Sequence, residues 1–260
     1  MFQVPLVKLG NTELHVSKLG FGTFDFGVPS LNISPDEGGR ILAESSKLGI
    51  KFWDTADDYG SHPHVASALK HVPRRTVAIS TKTYAKSGEE VEKSFKNSLK
   101  ELNTDYIDIF MLHFVKFNQI TDCPQVLRKI KDLKATDVVK AVGLSTHSVA
   151  VVRKASQFEE LDVILATCCS ADQALISKFQ KRIPLEDGSI DEMFYALKVA
   201  HDNGKGIIAM KVLGNKTPPL IKNYEAAITA VARLDFVDSM LIGMQSLDEV
   251  KKNIKAIMLG

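Results

Sequence analysis

Eight short apolar strands, each followed by a helix-forming stretch, predict a closed parallel (β/α)8 barrel for this 260-residue chain. The units recur about every 30 residues, the spacing of a strand, a crossover helix and two short loops. Their strands are continuously apolar rather than alternating, as a parallel sheet covered on both faces requires. Four helices announce their starts with Ser followed three residues later by Glu, a capping-box pattern. An open doubly wound sheet is the alternative, and it would need a topological switch point.

The elements follow in order. Residues 6–18 read as a small hairpin turning at Gly10-Asn11-Thr12, placed to plug the bottom of the barrel. The first barrel strand is 18–23, and Ser34-Pro35-Asp36-Glu37 opens a helix that Gly49 stops. Strand 52–56 precedes a helix around 62–71. Strand 77–82 precedes a helix opened by Ser87 and Glu90 that runs to about Leu102. Strand 106–113 leads to a helix around 123–134, and strand 140–145 to one starting near Ser148. Strand 162–167 leads through a longer loop to Ser189 and Glu192 and a helix ending at Gly204. Strand 206–211 leads to a helix around 222–234, and strand 239–243 to Ser246, Glu249 and a last helix to about Met258. The whole of 1–260 is expected to be one barrel domain.

Composition excludes several classes. Apolar residues make up 45% and charged residues 25%, with a net charge of +2 that gives no basis for binding nucleic acid or an acidic membrane. The densest basic runs, 178–182 and 251–255, read as solvated faces. No apolar run reaches the roughly 18 residues of a membrane span, and the N-terminus lacks the pattern of a signal peptide. Three cysteines without C-x-x-C spacing fit neither a disulfide framework nor a zinc site, and adjacent Cys168 and Cys169 read as buried thiols. A reducing cytoplasm is the expected location.

The chemistry concentrates at strand ends, where barrels of this kind carry it. Asp54 and Tyr59 follow the second barrel strand, Lys82 ends the third and His113 the fourth. Neighbouring strands lie about 4.8 Å apart, so the four side chains can share one pocket. Each alone has an ordinary structural reading: a turn cap, a rim aromatic, a surface ion pair, a strand-end histidine. Together they make a proton-handling set. An ammonium beside a phenol favours the phenolate and lowers its pKa, and a carboxylate beside the ammonium keeps it charged. The imidazole hydrogen-bonds a carbonyl or helps move its proton. A tuned phenol suits carbonyl reduction, and the hydride must come from a nicotinamide or flavin. The segment Gly20-Phe21-Gly22-Thr23-Phe24-Asp25 breaks the G-x-G-x-x-G fingerprint and opens no helix, so a dinucleotide must be held in another way.

Asp54-Thr55-Ala56-Asp57-Asp58-Tyr59-Gly60, with Lys82, His113, the Gly143-Leu144-Ser145 strand and the Leu19–Thr23 start, resembles the aldo-keto reductase family along the whole chain. The resemblance implies NADPH-dependent reduction of small aldehydes or ketones, with Asp54, Tyr59, Lys82 and His113 catalytic and Tyr59 the proton donor. It implies cofactor contacts at Gly22 and Thr23 and at Ser145 and Thr146, where the family has a Ser-Asn pair. Leu165 and Ala166 stand near its carboxamide-binding Gln. Met210 replaces a stacking aromatic and reads equally as core. Lys211 and Leu213 fall in the pyrophosphate-side segment 210–215, where Lys211 meets phosphate or solvent. At the adenosine end stand Gly243, Met244, Gln245, Ser246, Glu249 and Asn253. Glu249 replaces a common Arg and repels a 2′-phosphate, while Lys251 and Lys252 compensate; NADP is the expected cofactor and NAD stays open. The chain ends directly after its last helix, without the tail of longer members, so an open pocket is expected. Phe24, Phe26, Tyr84 and Phe114 are candidates for its apolar wall, and Trp53 should point away from Asp54.

Two other classes compete. A lyase would use a neutral Lys82 as a Schiff base, against the charge of Asp54. A non-catalytic nucleotide-binding barrel would bind dinucleotide without turnover.

Overall fold

The computed structural model describes residues 4–28, 31–122, 124–169, 185–213 and 224–259. The basic run 178–182, the end of segment 210–215 and the first residues of the helix expected from 222 lie outside them. An antiparallel hairpin, β1 (Leu6–Lys8) and β2 (His15–Ser17), comes first. Eight parallel strands then close into a barrel: β3 (Leu19–Gly22), β4 (Phe52–Asp54), β5 (Ala78–Thr83), β6 (Ile107–Leu112), β7 (Val139–Thr146), β8 (Val163–Thr167), β9 (Gly206–Met210) and β10 (Ser239–Gly243). Closure is the pairing of β10 with β3. Around it lie α1 (Pro35–Lys47), α2 (His62–Leu69), α3 (Gly88–Leu102), α4 (Phe117–Asp122), α5 (Pro124–Lys134), α6 (Val149–Ala155), α7 (Ile190–Asp202), α8 (Tyr224–Ala232) and α9 (Leu247–Met258).

The serine starts work as expected. Ser34, Ser87, Ser148, Ser189 and Ser246 each accept the backbone N–H three residues on, and the fully reciprocal box forms at Ser189 and Glu192. Ser61 is the exception. It stands at the start of α2 without capping it, because its hydroxyl is turned inward to those of Thr23 (2.7 Å) and Thr55 (2.8 Å). Helix α4 is an addition to the expected pattern; of its short polar segment, Ile120 is buried.

The barrel wall separates two cores. Phe52, Ala78, Ile109, Met111, Ala141, Val163, Leu165, Ile208 and Leu241 pack inside it. Phe21, Trp53, Ile79, Phe110, Val142 and Ile164 face the helices, so Trp53 does point away from Asp54. Leu9, Leu14 and Val16 of the hairpin join the inner cluster. Carried on by the period of two, the inward positions nearest the mouth are Gly22, Asp54, Lys82, Ser145, Thr167, Met210 and Gly243.

The opposite end is fastened by carboxylates. Asp108 accepts the Ile79 N–H (2.9 Å), Asp162 the Val142 N–H (2.9 Å) and Asp238 the Ile207 N–H (2.8 Å), each across a strand pair. Basic side chains sit on all three: Arg74 (2.7 Å) and Lys140 (2.8 Å) on Asp108, Lys134 (2.6 Å) on Asp162, and the His201 imidazole (3.8 Å) beside Asp238. Asp238 also takes the Gly10 N–H (3.2 Å), tying the hairpin turn to the barrel floor.

Candidate active site

The loop after β4 is held on three sides before it presents any chemistry. Its backbone continues the pairing with β5, through Thr55 N–H to Ser80 O (2.9 Å) and Asp57 N–H to Lys82 O (3.0 Å). The Asp57 carboxylate accepts Ser94 (2.5 Å) and Ser98 (3.0 Å) of α3. Behind Tyr59 the chain passes Gly27 so closely that a Cβ there would lie 1.4 Å from the Tyr59 carbonyl oxygen. Tyr59 is therefore fixed by backbone as well as by side-chain packing.

The four expected groups meet. Lys82 Nζ donates to Asp54 Oδ2 (2.7 Å) and to the Thr55 carbonyl (2.7 Å), and Ser80 donates to Asp54 Oδ1 (2.6 Å). Both charges are almost fully buried. The same ammonium stands 4.7 Å from the centre of the Tyr59 ring, and the Tyr59 and His113 rings are 5.5 Å apart, edge to face. Lys82 is one residue short of the strand end and His113 one residue past it; the His113 N–H donates to Thr83 O (2.8 Å). Phe24 and Tyr84, both exposed, pack on Tyr59 (5.1 Å) and His113 (4.5 Å). Phe114 packs on His147 (5.2 Å). Phe26 does not reach the pocket: it is buried against Phe21 and His64.

The electrostatics correct one expectation. Tyr59 is pushed above its ordinary pKa, not below it: burial acts first, and the Asp54 and Asp58 carboxylates add to it. The Lys82 ammonium donates to Asp54 and the Thr55 carbonyl rather than to the phenol. Burial also raises Asp54, opposed by Lys82 and by the hydrogen bonds from Lys82 and Ser80. Burial, with the charges of Lys82, His147 and Lys211, lowers His113 to about 3, so its imidazole is neutral at ordinary pH. Lys82 bonded to a buried carboxylate is a poor Schiff-base nucleophile, which counts against a lyase.

The residues expected at the cofactor divide into two groups. Gly22, Ser145, Met210 and Gly243 line the mouth on the inward face; Ser145 accepts the Phe114 N–H (2.9 Å), and its own O–H remains a donor. Lys211 is half-buried in a left-handed backbone (φ 61°), its pKa lowered by burial, with Asp25 acting against that. Gln245 reaches Asp25 (3.4 Å), whose carboxylate lies 2.9 Å from where a Gly243 Cβ would stand. Ser246 and Glu249 stand at the start of α9, where Glu249 accepts the Gln245 N–H (2.7 Å), one residue before the expected capping-box bond. Asn253 is buried one turn further on.

Thr23, Thr146, Met244 and Leu213 do not fit. The Thr23 hydroxyl is buried on the Asp54 carbonyl (2.9 Å), and that of Thr146 on Val115 O (2.8 Å) and Ser148 N–H (3.1 Å). Met244 and Leu213 pack into the helix-side core. On β8 the mouth residue is Thr167, not Leu165 or Ala166, and it hydrogen-bonds His147 (2.5 Å). Sequence reasoning passed over Asp58, Ser80, His147 and Thr167. Ser80 and Thr167 were reachable by counting in twos from Lys82 and Leu165; Asp58 carries no such signal. The rim of Gly22, Met210 and Gly243, with the Lys211 ammonium and the Ser145 and Gln245 donors, fits a flat ring carrying an amide and phosphates.

The family model of the aldo/keto reductase family matches residues 18–218. The chain belongs to the aldo/keto reductase family. L-galactose dehydrogenase of Arabidopsis thaliana is 27% identical over 99% of this chain and 89% of its own. An NADH-specific methylglyoxal reductase of Escherichia coli K12 is 25% identical over 96% and 93%. Among solved structures, the holo form of an aldo-keto reductase from Bacillus halodurans superposes with a TM-score of 0.74 at 22% identity, covering 98% of this chain and 91% of that one. An aldo/keto reductase from Brucella melitensis gives 0.72 at 19%, over 98% and 93%. These two show the shared barrel. Family membership makes the protein an oxidoreductase of carbonyl chemistry that works with a nicotinamide cofactor.

Proposed function

We propose that the protein reduces aldehydes or ketones to alcohols with Tyr59 as the proton donor. The observation that carries this reading is the buried Lys82–Asp54 pair set against the Tyr59 ring, with a neutral His113 opposite. A nicotinamide cofactor, when bound, would supply the hydride. As negative charge gathers on the carbonyl oxygen, the phenol must hold a proton to give, and its raised pKa ensures that it does. An alkoxide is basic enough to take that proton. The Lys82 ammonium then stabilises the phenolate left behind, and Asp54 keeps Lys82 charged and aimed. His113 orients the substrate through one hydrogen bond. Phe24, Tyr84 and Phe114 supply an apolar wall for small carbonyl compounds.

Gly22, Ser145, Met210, Lys211, Gly243 and Gln245 would hold the cofactor, with Ser145 on the carboxamide and Lys211 on phosphate. The amide end of α9 would take the adenosine side. NADPH is the proposed cofactor, with Lys251 or Lys252 meeting its 2′-phosphate. Glu249 supports NADH as a second reading, because its carboxylate folds over the helix start where that phosphate would lie.

Tyr59→Phe tests the reading. It should leave dinucleotide binding intact and lower kcat by at least about 10²-fold, the scale of a lost general acid. Undiminished reduction would remove Tyr59 from the mechanism. Separate NADPH and NADH titrations, followed by Trp53 fluorescence, decide the cofactor. Binding without turnover across a panel of aldehydes would move the non-catalytic reading to the front.

A further inference from the structure

Ser61 begins α2 yet leaves the helix uncapped, where Ser34, Ser87, Ser148, Ser189 and Ser246 each cap theirs. A withheld cap gives up helix stability, and the hydroxyl makes a specific set of contacts instead. It meets the Thr55 hydroxyl at 2.8 Å and the Thr23 hydroxyl at 2.7 Å, and Thr23 in turn donates to the Asp54 carbonyl (2.9 Å). Thr23, Thr55 and Ser61 are all fully buried. Thr55 and Ser61 are the two ends of the loop that carries Tyr59, so the bond between them closes that loop at its base.

The direction of this chain follows from counting protons. A hydroxyl has one to give, and a carbonyl oxygen only accepts. The Thr23 proton therefore goes to Asp54. Ser61 must then donate to Thr23, and Thr55 to Ser61, because otherwise two lone pairs would face each other. The chain runs from Thr55 through Ser61 and Thr23 to the Asp54 carbonyl, beginning and ending on adjacent residues. The same two residues provide both acceptors of the Lys82 ammonium, the Asp54 carboxylate and the Thr55 carbonyl, each at 2.7 Å. That ammonium lies 4.7 Å from the centre of the Tyr59 ring. One ring of hydroxyls thus braces both the strand end that aims Lys82 and the loop that presents Tyr59.

We infer that Ser61 is a positioning residue: its hydroxyl, withheld from α2, clasps the loop 55–61 shut and holds Tyr59 against Lys82. It acts through those two side chains rather than on a substrate. Its effect on rate rests on the proposed carbonyl reduction; the bracing of Lys82 does not.

The test has two arms. Ser61→Ala opens the clasp and strands the Thr55 O–H as a buried donor without an acceptor. It should lower the urea midpoint and reduce kcat for aldehyde reduction about tenfold, part of the roughly 10²-fold that a 1 Å displacement costs, with KM and dinucleotide Kd within about twofold of wild type. Ser61→Ala joined to Thr55→Val replaces the stranded donor with a side chain of the same shape, so most of the midpoint should return while kcat stays low. Return of both together, or wild-type kcat in Ser61→Ala, would make Ser61 an ordinary structural residue and overturn the inference. The second arm needs no turnover: Ser61→Ala and Lys82→Met are combined in a double-mutant cycle read by urea unfolding. Independent sites multiply their effects on the unfolding constant to within about twofold, whereas a clasp that braces the Lys82 acceptors should make the double variant miss that product by about fivefold or more. Independence would overturn the inference. Coupling in a protein whose wild type reduces no aldehyde would support the clasp and overturn the reductase reading.

Discussion

Replacing Gly27 with alanine tests whether backbone packing places the proton donor. A Cβ at this position would stand 1.4 Å from the Tyr59 carbonyl oxygen, 2.6 Å from its carbon and 3.2 Å from the Gly60 carbonyl carbon. Carbon and its non-bonded neighbours settle at about 3.5 Å or beyond, so roughly 2 Å of separation must be found. If residues 24–28 yield half of it, Tyr59 moves by about 1 Å, a displacement that costs about 10²-fold in rate. Overpacking of this kind also costs about 1–3 kcal/mol of stability. The expected result is a folded variant, less stable in urea, with kcat for aldehyde reduction lowered about 100-fold. Gly88→Ala is the control, because its Cβ would meet nothing closer than the Lys129 side chain at 3.6 Å. A Gly27→Ala enzyme within about threefold of wild-type kcat would show that Tyr59 is held by something else.

The remaining predictions follow from the buried charges. Asp54→Ala strands the Lys82 ammonium in the barrel and should cost about 3–5 kcal/mol in urea unfolding; a loss below about 1 kcal/mol would mean that water reaches Lys82. Lys82→Met should cost less, because burial already favours the protonated form of Asp54 and the carboxyl can neutralise itself. His113, lowered to about 3 in the fold against an ordinary 6.5, binds its proton only when unfolded across that window. Stability should therefore fall as pH drops from about 6.5 toward 3, by about 2 kcal/mol at pH 5 from this group. His113→Gln should flatten that part of the curve, and an unchanged slope would place the proton uptake elsewhere. Borohydride with an aldehyde should leave Lys82 unlabelled in peptide maps; a label there would revive the lyase.

The strands were legible because each is a continuous apolar run, and four of the helices because Ser with Glu three residues on marks their start. The meeting of Asp54, Tyr59, Lys82 and His113 was legible for a simpler reason, since strand order alone brings their ends together. Two kinds of detail escaped. Thr146, Ala166 and Met244 differ by one residue from Ser145, Thr167 and Gly243, and in a strand one residue exchanges the barrel mouth for the helix layer. The direction of the Tyr59 shift depended on how deeply the phenol is buried and on Asp58, facts of packing that residue types at strand ends do not contain. Helix α4 escaped because six residues of mixed polarity show no period to read.

Asp108, Asp162 and Asp238 staple neighbouring strands at the end of the barrel away from Tyr59. The work of closing the cylinder is thereby separated in space from the work of choosing a substrate. A change in the loops that carry Phe24, Asp58 or Tyr84 alters what the mouth admits without touching the joints that hold the cylinder shut. For selection or a protein engineer, such a scaffold offers variation in specificity at little risk to folding; a change at the three aspartates puts the whole cylinder at stake.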